Sequence, residues 1–424
     1  MKLAVVGGGS TYTPELVAGL ALESDRLDLR ELVLQDIDPE RRDVVGALAG
    51  RMLAPAGYRG EFSVTDDLDR ALDGASFVLI QLRVGGQAAR LSDETVPLAC
   101  GCIGQETTGA GGLAKALRTV PVVLEISSRV RELADDAWIV DFTNPVGIVV
   151  RGLLDAGHRA IGLCNVAIGV QRLVARLLSV EPDRILVDQV GLNHLTWVRA
   201  VRVDGRDVLP ELLVEHGDAL AEQAGVPRRL LDRLSAIPSY YLHYYYLHDA
   251  VLEEQLHGVP RASEVAEIER ELLELYRNPA LKTKPALLER RGGAYYSEAA
   301  VQLIAALATG SGDTQVVDVR NSGTLAGLGD DDVVEVPAQI DADGATPLPQ
   351  PPLAPELLGL VQHVAAYERL AAAAAVTGER ELVFNALLAH PLVGQAPQAE
   401  ELTERLLAEG REHLPQFEPR EVVA

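Results

Sequence analysis

Short apolar runs alternate with amphipathic segments through the first 165 residues of the chain. Each apolar run is four to six residues long and is bounded by glycine, proline or aspartate, which is typical of a strand buried on both faces. Strands are predicted at residues 3–6, 31–35, 75–80, 138–142 and 160–163. Helices are predicted after a Thr13 cap, at 66–72 behind a Thr65 cap, at 114–134 with a kink at Pro121, and at 147–156. This alternation predicts an α/β fold, a Rossmann-like doubly wound parallel sheet.

After residue 165 the pattern changes to amphipathic helices with fewer apolar runs. Five prolines between Pro347 and Pro355 indicate an extended connector. We therefore expect two domains, a Rossmann-like domain at 1–165 and a mainly helical α+β domain at 166–424. In the second domain, strands are predicted at 185–190, 195–203 (continuous or bent near 199), 316–319 and 333–337, and helices at 208–222, 227–235, 262–276, from 298 onward and within 356–388.

A glycine-rich loop follows the first predicted strand, with the sequence Gly7-Gly8-Gly9-Ser10-Thr11. The backbone amides of such a loop can approach a pyrophosphate at the positive end of the following helix. Tyr12 stands where the dinucleotide fingerprint has its third glycine, so the loop alone is a weak signal. We expect an NAD-type cofactor, bound in part by Gly7, Gly9, Ser10 and Thr11.

Polar residues that could bind a ligand or take part in catalysis follow the other predicted strands. Ligands bind at this edge of a parallel sheet. Asp36 ends the second strand, at the position where a carboxylate binds the adenosine ribose of NAD, although a solvated turn before Pro39 is the alternative. The strand ends also present Arg83, Asn144 and Cys164.

Cys164 and His194 form a candidate metal pair. Thiolate and imidazole are good ligands for a divalent transition metal, and two protein ligands leave coordination positions open for substrate. The alternative is that each is ordinary core packing. The strand-end position of Cys164 favours a role at the cofactor.

The charge and cysteine content narrow the possible partners and the compartment. A net charge of −24 argues against nucleic acid and against anionic membranes, because both require a basic surface. An anionic substrate would therefore need local arginines, for which Arg90 and Arg261 are candidates. Three cysteines cannot form a disulfide framework in a chain of 424 residues, and no signal peptide or long apolar span is evident, so a cytoplasmic location is expected.

With these residues in place, the sequence resembles family 4 of the glycoside hydrolases, the NAD- and metal-dependent 6-phospho-glycosidases. The resemblance covers nearly the whole chain and rests on the order of several motifs. These are the glycine loop with Tyr12-Thr13-Pro14, Arg83-Val84-Gly85-Gly86, Gly104-Gln105-Glu106-Thr107-Thr108-Gly109, Thr143-Asn144-Pro145, Cys164-Asn165, Gly191-Leu192-Asn193-His194-Leu195, Tyr241-Leu242-His243-Tyr244-Tyr245-Tyr246, Gly292-Gly293-Ala294-Tyr295-Tyr296-Ser297 and His390-Pro391-Leu392-Val393.

The resemblance implies hydrolysis of O-glycosidic bonds by a redox and elimination route, an exception to the two-carboxylate mechanism. NAD would take a hydride from C3 of the sugar, a base would remove the C2 proton, the glycosidic oxygen would leave, water would add and the hydride would return. A divalent metal, Mn²⁺, held by Cys164 and His194 would stabilise the enediolate. Tyr241 is the implied base, with an aromatic packing cluster as the alternative for these tyrosines.

The resemblance also implies the remaining site residues and the assembly. NAD would occupy the domain at 1–165, with Arg83 among its contacts, whereas substrate, metal and oligomer contacts would lie in 166–424. A homodimer or homotetramer acting on a phosphorylated disaccharide or aryl glycoside is expected. The residues implied to contact substrate are Arg90, Glu106, Asn144, Asn165 and Arg261.

Three positions bear on which sugar is cleaved. Asn165 after the cysteine resembles the β-acting members, although Ala167 stands where they carry proline. His243 replaces an arginine common in relatives, so a non-phosphorylated or differently substituted sugar is one alternative to a 6-phospho-β-glucoside. Two further alternatives to a glycosidase are an NAD-dependent hydroxy-acid dehydrogenase and a non-catalytic dinucleotide sensor.

Overall fold

The computed structural model describes residues 1–24, 26–292 and 295–418, so Gly293 and Ala294 of the glycine-tyrosine motif lie outside the described residues. The strands are β1 (Lys2–Val6), β2 (Glu31–Gln35), β3 (Glu61–Thr65), β4 (Phe77–Ile80), β5 (Trp138–Asp141), β6 (Ala160–Gly162), β7 (Ile185–Leu192), β8 (Leu195–Val203), β9 (Arg206–Asp207), β10 (Ile237–Pro238), β11 (Asp313–Arg320), β12 (Val333–Asp341) and β13 (Gly344–Pro347). The helices are α1 (Thr13–Leu22), α2 (Pro39–Leu53), α3 (Leu68–Leu72), α4 (Gly86–Ala99), α5 (Gly109–Leu133), α6 (Val146–Asp155), α7 (Val166–Leu178), α8 (Leu209–Glu215), α9 (Gly217–Ala224), α10 (Arg228–Leu234), α11 (His243–Tyr246), α12 (His248–His257), α13 (Arg261–Tyr276), α14 (Leu288–Arg291), α15 (Tyr296–Thr309), α16 (Pro355–Thr377), α17 (Arg380–Ala389) and α18 (Ala396–Glu409).

The strands of the N-terminal half form a parallel sheet in the order β3-β2-β1-β4-β5-β6. The chain moves outward from β1 in one direction and then returns to wind in the other. The predicted Rossmann-like, doubly wound class is therefore confirmed, and the crevice above β1 and β4 is the place where such sheets bind ligands.

The sheet continues from the N-terminal half into the C-terminal half through antiparallel strands. Its order beyond β6 is β11-β12-β7-β8-β10. Helices surround this extension, with α16 packed on α5 and α6. The C-terminal half is thus mainly helical with an antiparallel sheet, as expected, and the proposed boundary at residue 165 stays a prediction.

Several predicted boundaries are wrong for local physical reasons. Asp67, rather than Thr65, caps α3, because its Oδ1 accepts the Arg70 amide at 3.1 Å. Thr13 is the first residue of α1 and not its cap. Helix α5 begins at Gly109, five residues before the predicted start. Its first turn is rich in glycine, which obscures the helical pattern. These glycines allow close packing, since a Cβ on Gly111 would lie 2.3 Å from the Asp93 carbonyl oxygen.

Other differences concern whole elements. Three elements, β3, α2 and α4, were not predicted from the sequence. Strand β3 is mostly half-buried, which weakens its apolar pattern. The segment predicted as one helix at 208–222 is divided into α8 and α9 at His216. Strand β8 is continuous through residue 203. Among the described residues, no helix has the length and apolar character needed to cross a membrane.

Candidate active site

The glycine loop turns tightly after β1 and meets the end of β2. Gly7 adopts φ +83°, and a Cβ there would lie 2.4 Å from the Gln81 carbonyl oxygen, so only glycine fits. The Gly9 amide donates to Asp36 Oδ2 at 2.8 Å, and the Asp38 amide donates to Asp36 Oδ1 at 2.9 Å. The structure therefore brings Asp36 to the loop, where sequence reasoning expected it.

Ser10 supports the loop locally, and Thr11 connects it to the C-terminal half of the chain. The Ser10 hydroxyl accepts the Tyr12 amide at 3.2 Å. Thr11 is fully buried, and its Oγ1 accepts from Arg291 Nε at 2.8 Å. Glu269 binds both Arg291 and Arg41, at 3.0 and 2.8 Å. Sequence reasoning missed Glu269 and Arg291, because they lie more than 250 residues away along the chain.

A buried carboxylate, Glu106, lies among three cations. Its oxygens pair with Arg83, with Arg90 Nε at 3.2 Å and with Lys115 Nζ at 2.7 Å. Arg90 Nε also contacts Glu94 at 2.8 Å. Burial alone would raise the pKa of Glu106, but the attraction of Arg83, Lys115 and Arg90 outweighs it and holds that pKa well below its usual range. The cluster thus has excess positive charge inside an acidic protein, an arrangement suited to an anion.

Lys115 is a member of this cluster that sequence reasoning missed. Burial, reinforced by the charge of Arg83, lowers the pKa of Lys115 to about 7 although Glu106 opposes the shift. The sequence feature that could have identified it is a lone lysine inside the apolar stretch 113–117. A charged residue on a buried helix face needs a partner, and here that partner is Glu106.

Cys164, His194 and Tyr241 come together beyond the ends of β6 and β7. The His194 imidazole stacks on the Tyr241 phenol, and Cys164 lies close enough that a thiolate there would raise the pKa of Tyr241. Both ring nitrogens of His194 are buried, and neither has a hydrogen-bond partner among the residues that the structure describes. Burial, reinforced by Lys115, lowers the pKa of His194 to about 3, so the imidazole is neutral near pH 7.

The donor set of this site suits a divalent metal. A neutral imidazole with an available nitrogen is the metal-binding form, and a thiol becomes a ligand on losing its proton. Burial raises the pKa of the Cys164 thiol, and the nearby carboxylates Glu335 and Asp318 raise it further, so a cation would be needed to hold the thiolate. Within the described ranges, no group of three or more His, Cys, Asp or Glu side chains is arranged to hold a metal ion. Cys164 and His194 therefore remain a two-ligand prediction.

The environment of Tyr241 disfavours its phenolate in the protein alone. Burial raises its pKa well above the usual value, Cys164, Tyr244 and Glu106 add to the shift, and Arg90 opposes it. A base that acts near neutral pH requires a compensating positive charge close by. A cation held by Cys164 and His194 would supply that charge.

The remaining predicted substrate residues are placed differently. Asn144 follows β5, and its Oδ1 is buried without a partner. Asn165 is the N-cap residue of α7, directly after Cys164. Arg261 is 47% exposed and pairs with Glu264 at 2.7 Å and with the Arg290 carbonyl at 2.8 Å. The structure thus brings Asn144 and Asn165 to the strand ends and leaves the Arg261 side chain at the surface.

His243 packs between two tyrosine rings that are tilted relative to its imidazole. Its ring centroid lies 4.3 Å from that of Tyr240 and 3.9 Å from that of Tyr244, and Nδ1 bonds the Tyr240 carbonyl. Burial lowers the pKa of His243. This imidazole is therefore neutral near pH 7 and does not reproduce the charge of an arginine.

The fold and the site define a class of Rossmann-type protein in which a buried thiol, imidazole and phenol lie beyond the strand ends, beside a cationic cluster. Within that class, the chain belongs to family 4 of the glycosyl hydrolases. The family 4 glycosyl hydrolase model matches residues 2–180, and the family 4 glycosyl hydrolase C-terminal domain model matches residues 189–393. The resemblance drawn from the ordered motifs is confirmed.

The chain is similar to named relatives over nearly its full length. It is 41% identical over 432 residues to the probable 6-phospho-beta-glucosidase of Bacillus subtilis, covering 98% of each chain. It is 37% identical over 435 residues to the 6-phospho-beta-glucosidase of Escherichia coli, covering 98% of this chain and 97% of the relative. A solved structure of the Thermotoga maritima 6-phospho-beta glucosidase with manganese, NAD⁺ and glucose-6-phosphate has a TM-score of 0.90 and 34% identity, covering 97% and 99% of the two chains.

Proposed function

We propose that this glycosyl hydrolase cleaves 6-phospho-β-glucosides with NAD and a divalent metal, Mn²⁺, as cofactors. The observation that carries the proposal is the buried contact of Tyr241 with His194 beside Cys164. The names of the relatives support the same substrate class, and the Thermotoga maritima structure holds both cofactors. A dehydrogenase that shares only the Rossmann-like half has no evident need for this site.

When bound, NAD and Mn²⁺ would supply a reversible hydride acceptor and a Lewis acid for the sugar oxygens. The amides of the Gly7–Thr11 loop would bind the pyrophosphate, and Asp36 would bind the ribose. Cys164 and His194 would hold the metal. Tyr241 Oη would take the C2 proton of the sugar, and stacking against His194 would keep the phenol beside that carbon.

The substrate anion would be drawn to the cationic side of the site. Arg90 lies in the cluster of cations whose summed positive charge exceeds the negative charge of Glu106. Arg261 is half-exposed, and its guanidinium can release Glu264 and bind a phosphate instead. Asn144 and Asn165 are proposed to contact the sugar hydroxyls. The aglycone, whether a second sugar or an aryl group, stays a prediction, because the described contacts do not distinguish the two.

The compartment and the assembly are part of the proposal. Cys100, Cys102 and Cys164 are all free, and a thiolate ligand survives only where oxidants are scarce, which supports a cytoplasmic location. A homodimer or homotetramer is proposed from the family resemblance, and size-exclusion chromatography with light scattering would test it.

The proposal is tested by hydrolysis of p-nitrophenyl β-D-glucoside 6-phosphate in D₂O with NAD, Mn²⁺ and a reductant. We expect activity only with both cofactors and deuterium at C2 of the released sugar. The matched substrates are the same glucoside without phosphate and its α anomer, and both are expected to be poor. Activity that persists after all NAD is stripped, or a product without deuterium, contradicts the redox route. Stoichiometric NADH would instead identify a dehydrogenase.

A further inference from the structure

One row of cross-strand neighbours connects the strands that lead to Cys164 and His194. Gly162 of β6 pairs with Asp318 of β11, Asp318 pairs with Glu335 of β12, and Glu335 pairs with Gly191 of β7. Gly162 lies two residues before Cys164, and Gly191 lies three residues before His194. Two carboxyl groups therefore occupy the interior of the sheet between the two predicted metal ligands.

Glu335 is the member of this row that contacts the His194 turn. It is only 1% exposed, and its Oε2 accepts from Asn193 Nδ2 at 3.0 Å. Its Oε1 accepts from Gln189 Nε2. The Asn193 side chain also lies close enough to the Cys164 sulfur to lower the pKa of that thiol, so one amide lies between Glu335 and the predicted metal ligands.

The turn that carries His194 needs such support. His194 adopts φ +64°, a left-handed conformation that costs a non-glycine residue about 1 kcal/mol or more. Gly191 has φ +147°, and a Cβ there would lie 2.1 Å from the Leu195 carbonyl oxygen, so the hairpin closes tightly. Among the described residues neither ring nitrogen of His194 makes a hydrogen bond, so apart from its stack on Tyr241 the ring does not hold the turn.

We infer that Glu335 is a positioning residue that holds the Asn193–His194 turn, and thereby the His194 imidazole, in the geometry that binds the metal. The inference rests on the metal role of Cys164 and His194 in the proposed function. Glu335 acts through Asn193, whose backbone leads directly into His194.

The chemistry of the contact distinguishes two substitutions. Glu335→Gln keeps an acceptor for Asn193. Its new NH₂ group can donate to Gln189 Oε1 once the Gln189 amide rotates, and that oxygen is buried without a partner among the described residues. Glu335→Met fills a similar volume but provides no acceptor, and it leaves two buried amide groups without partners. The turn is therefore held in the glutamine variant and released in the methionine variant.

The test is titration of the NAD-loaded protein with Co²⁺ alone, followed by the cobalt–thiolate absorption band, with NAD affinity measured in parallel. We expect Glu335→Met to weaken Co²⁺ binding by about 10-fold or more. NAD affinity should be unchanged, and Glu335→Gln should bind Co²⁺ nearly as the native protein does. At saturating Mn²⁺, the methionine variant should regain most of its kcat, which a general loss of structure would not allow.

Asp318→Asn is the matched control. Asp318 is fully buried in the same row, and among the described residues neither of its carboxyl oxygens has a hydrogen-bond partner. Its substitution removes only a carboxylate that raises the pKa of Cys164, so Co²⁺ binding should not weaken. If Glu335→Met does not fold, Asn193→Ala removes the same bond from the turn and must weaken Co²⁺ binding in its place. Native Co²⁺ affinity in a folded Glu335→Met protein overturns the positioning role. A native protein without a cobalt–thiolate band overturns the proposed metal site itself.

Discussion

The imidazole of His194 lies flat against the phenol of Tyr241, with ring centroids 3.6 Å apart and planes inclined by 11°. This contact joins the proposed base to a proposed metal ligand. Because His194 is buried and Tyr241 is partly buried against it, neither ring can move far without displacing the other. The stack thus fixes where the base lies relative to the metal.

Replacing Tyr241 with phenylalanine should separate proton transfer from positioning. Tyr241→Phe keeps the ring that supports His194 but removes the hydroxyl, so we expect kcat to fall by about 10²–10⁴-fold while metal affinity is retained. Deuterium incorporation at C2 should disappear with the activity. Steady-state kinetics and mass spectrometry of the product in D₂O measure both effects.

Tyr240→Phe is the control, because Tyr240 is on the same turn and is half-exposed at the surface. Its kcat should be close to that of the native protein. If Tyr241→Phe keeps native activity and C2 exchange, Tyr241 is not the base.

Replacing the Cys164 thiol should weaken metal binding and leave the fold intact. Cys164 is buried beyond the end of β6, and serine occupies nearly the same volume. A neutral hydroxyl lacks the negative charge with which a thiolate attracts Mn²⁺, so Cys164→Ser should bind metal weakly and lose hydrolysis while NAD binding is retained. Equilibrium dialysis with Mn²⁺ measures the first effect. Full metal-dependent turnover by this variant would exclude Cys164 as a ligand, and Cys102→Ser, which is also buried, is the matched control.

Neutralising Glu106 should destabilise the protein. Glu106→Gln leaves Arg83, Arg90 and Lys115 close together without their shared carboxylate. Loss of one partner of a buried ion pair costs about 3–5 kcal/mol of unfolding free energy, which urea denaturation would measure. Adding Lys115→Met should recover part of that loss, because one uncompensated charge is removed.

The exposed carboxylate Glu264, the partner of Arg261, is the control for this experiment. Glu264→Gln should leave the urea midpoint nearly unchanged, since exposed ion pairs contribute little. Additive effects of Glu106→Gln and Lys115→Met would mean that the two side chains do not interact.

Stability should fall as pH rises above neutrality, in part because of Glu368. Burial raises the pKa of this carboxyl from 4.5 to about 8, although Arg151 opposes the shift. The folded protein therefore keeps a proton that the unfolded chain has lost, and this stabilisation is present at low pH and is lost as pH rises through about 8. One such proton changes the unfolding free energy by up to about 1.4 kcal/mol per pH unit.

Glu368→Gln should flatten this dependence, because glutamine is neutral at every pH. Unfolding free energies from urea denaturation between about pH 6.5 and 8 measure the difference between native and variant proteins. Glu335, whose pKa burial raises to about 7, contributes a slope of the same sign in both proteins. Parallel curves for the native and variant proteins would show that Glu368 is already ionised when folded.

Much of the candidate site could be predicted because it depends on local sequence. The Gly7 turn and the Asp36 strand end follow from a short strand, a glycine loop and a helix start, all within 40 residues. Cys164 could be placed for the same reason, since it follows a strand that is apolar throughout. Ordered motifs then added His194 and Tyr241, and the structure brings all three together.

The sequence by itself determined the order of strands and helices, the position of the nucleotide loop and the family, because apolar periodicity, glycine and proline act over a few residues. Only the tertiary structure decided which charges meet. It paired Glu106 with Lys115 and placed Glu335 beneath the His194 turn. Glu335 lies 142 residues from Asn193, and no local pattern encodes such a contact. It arises because β12 inserts between β11 and β7, a choice made by the packing of the whole sheet.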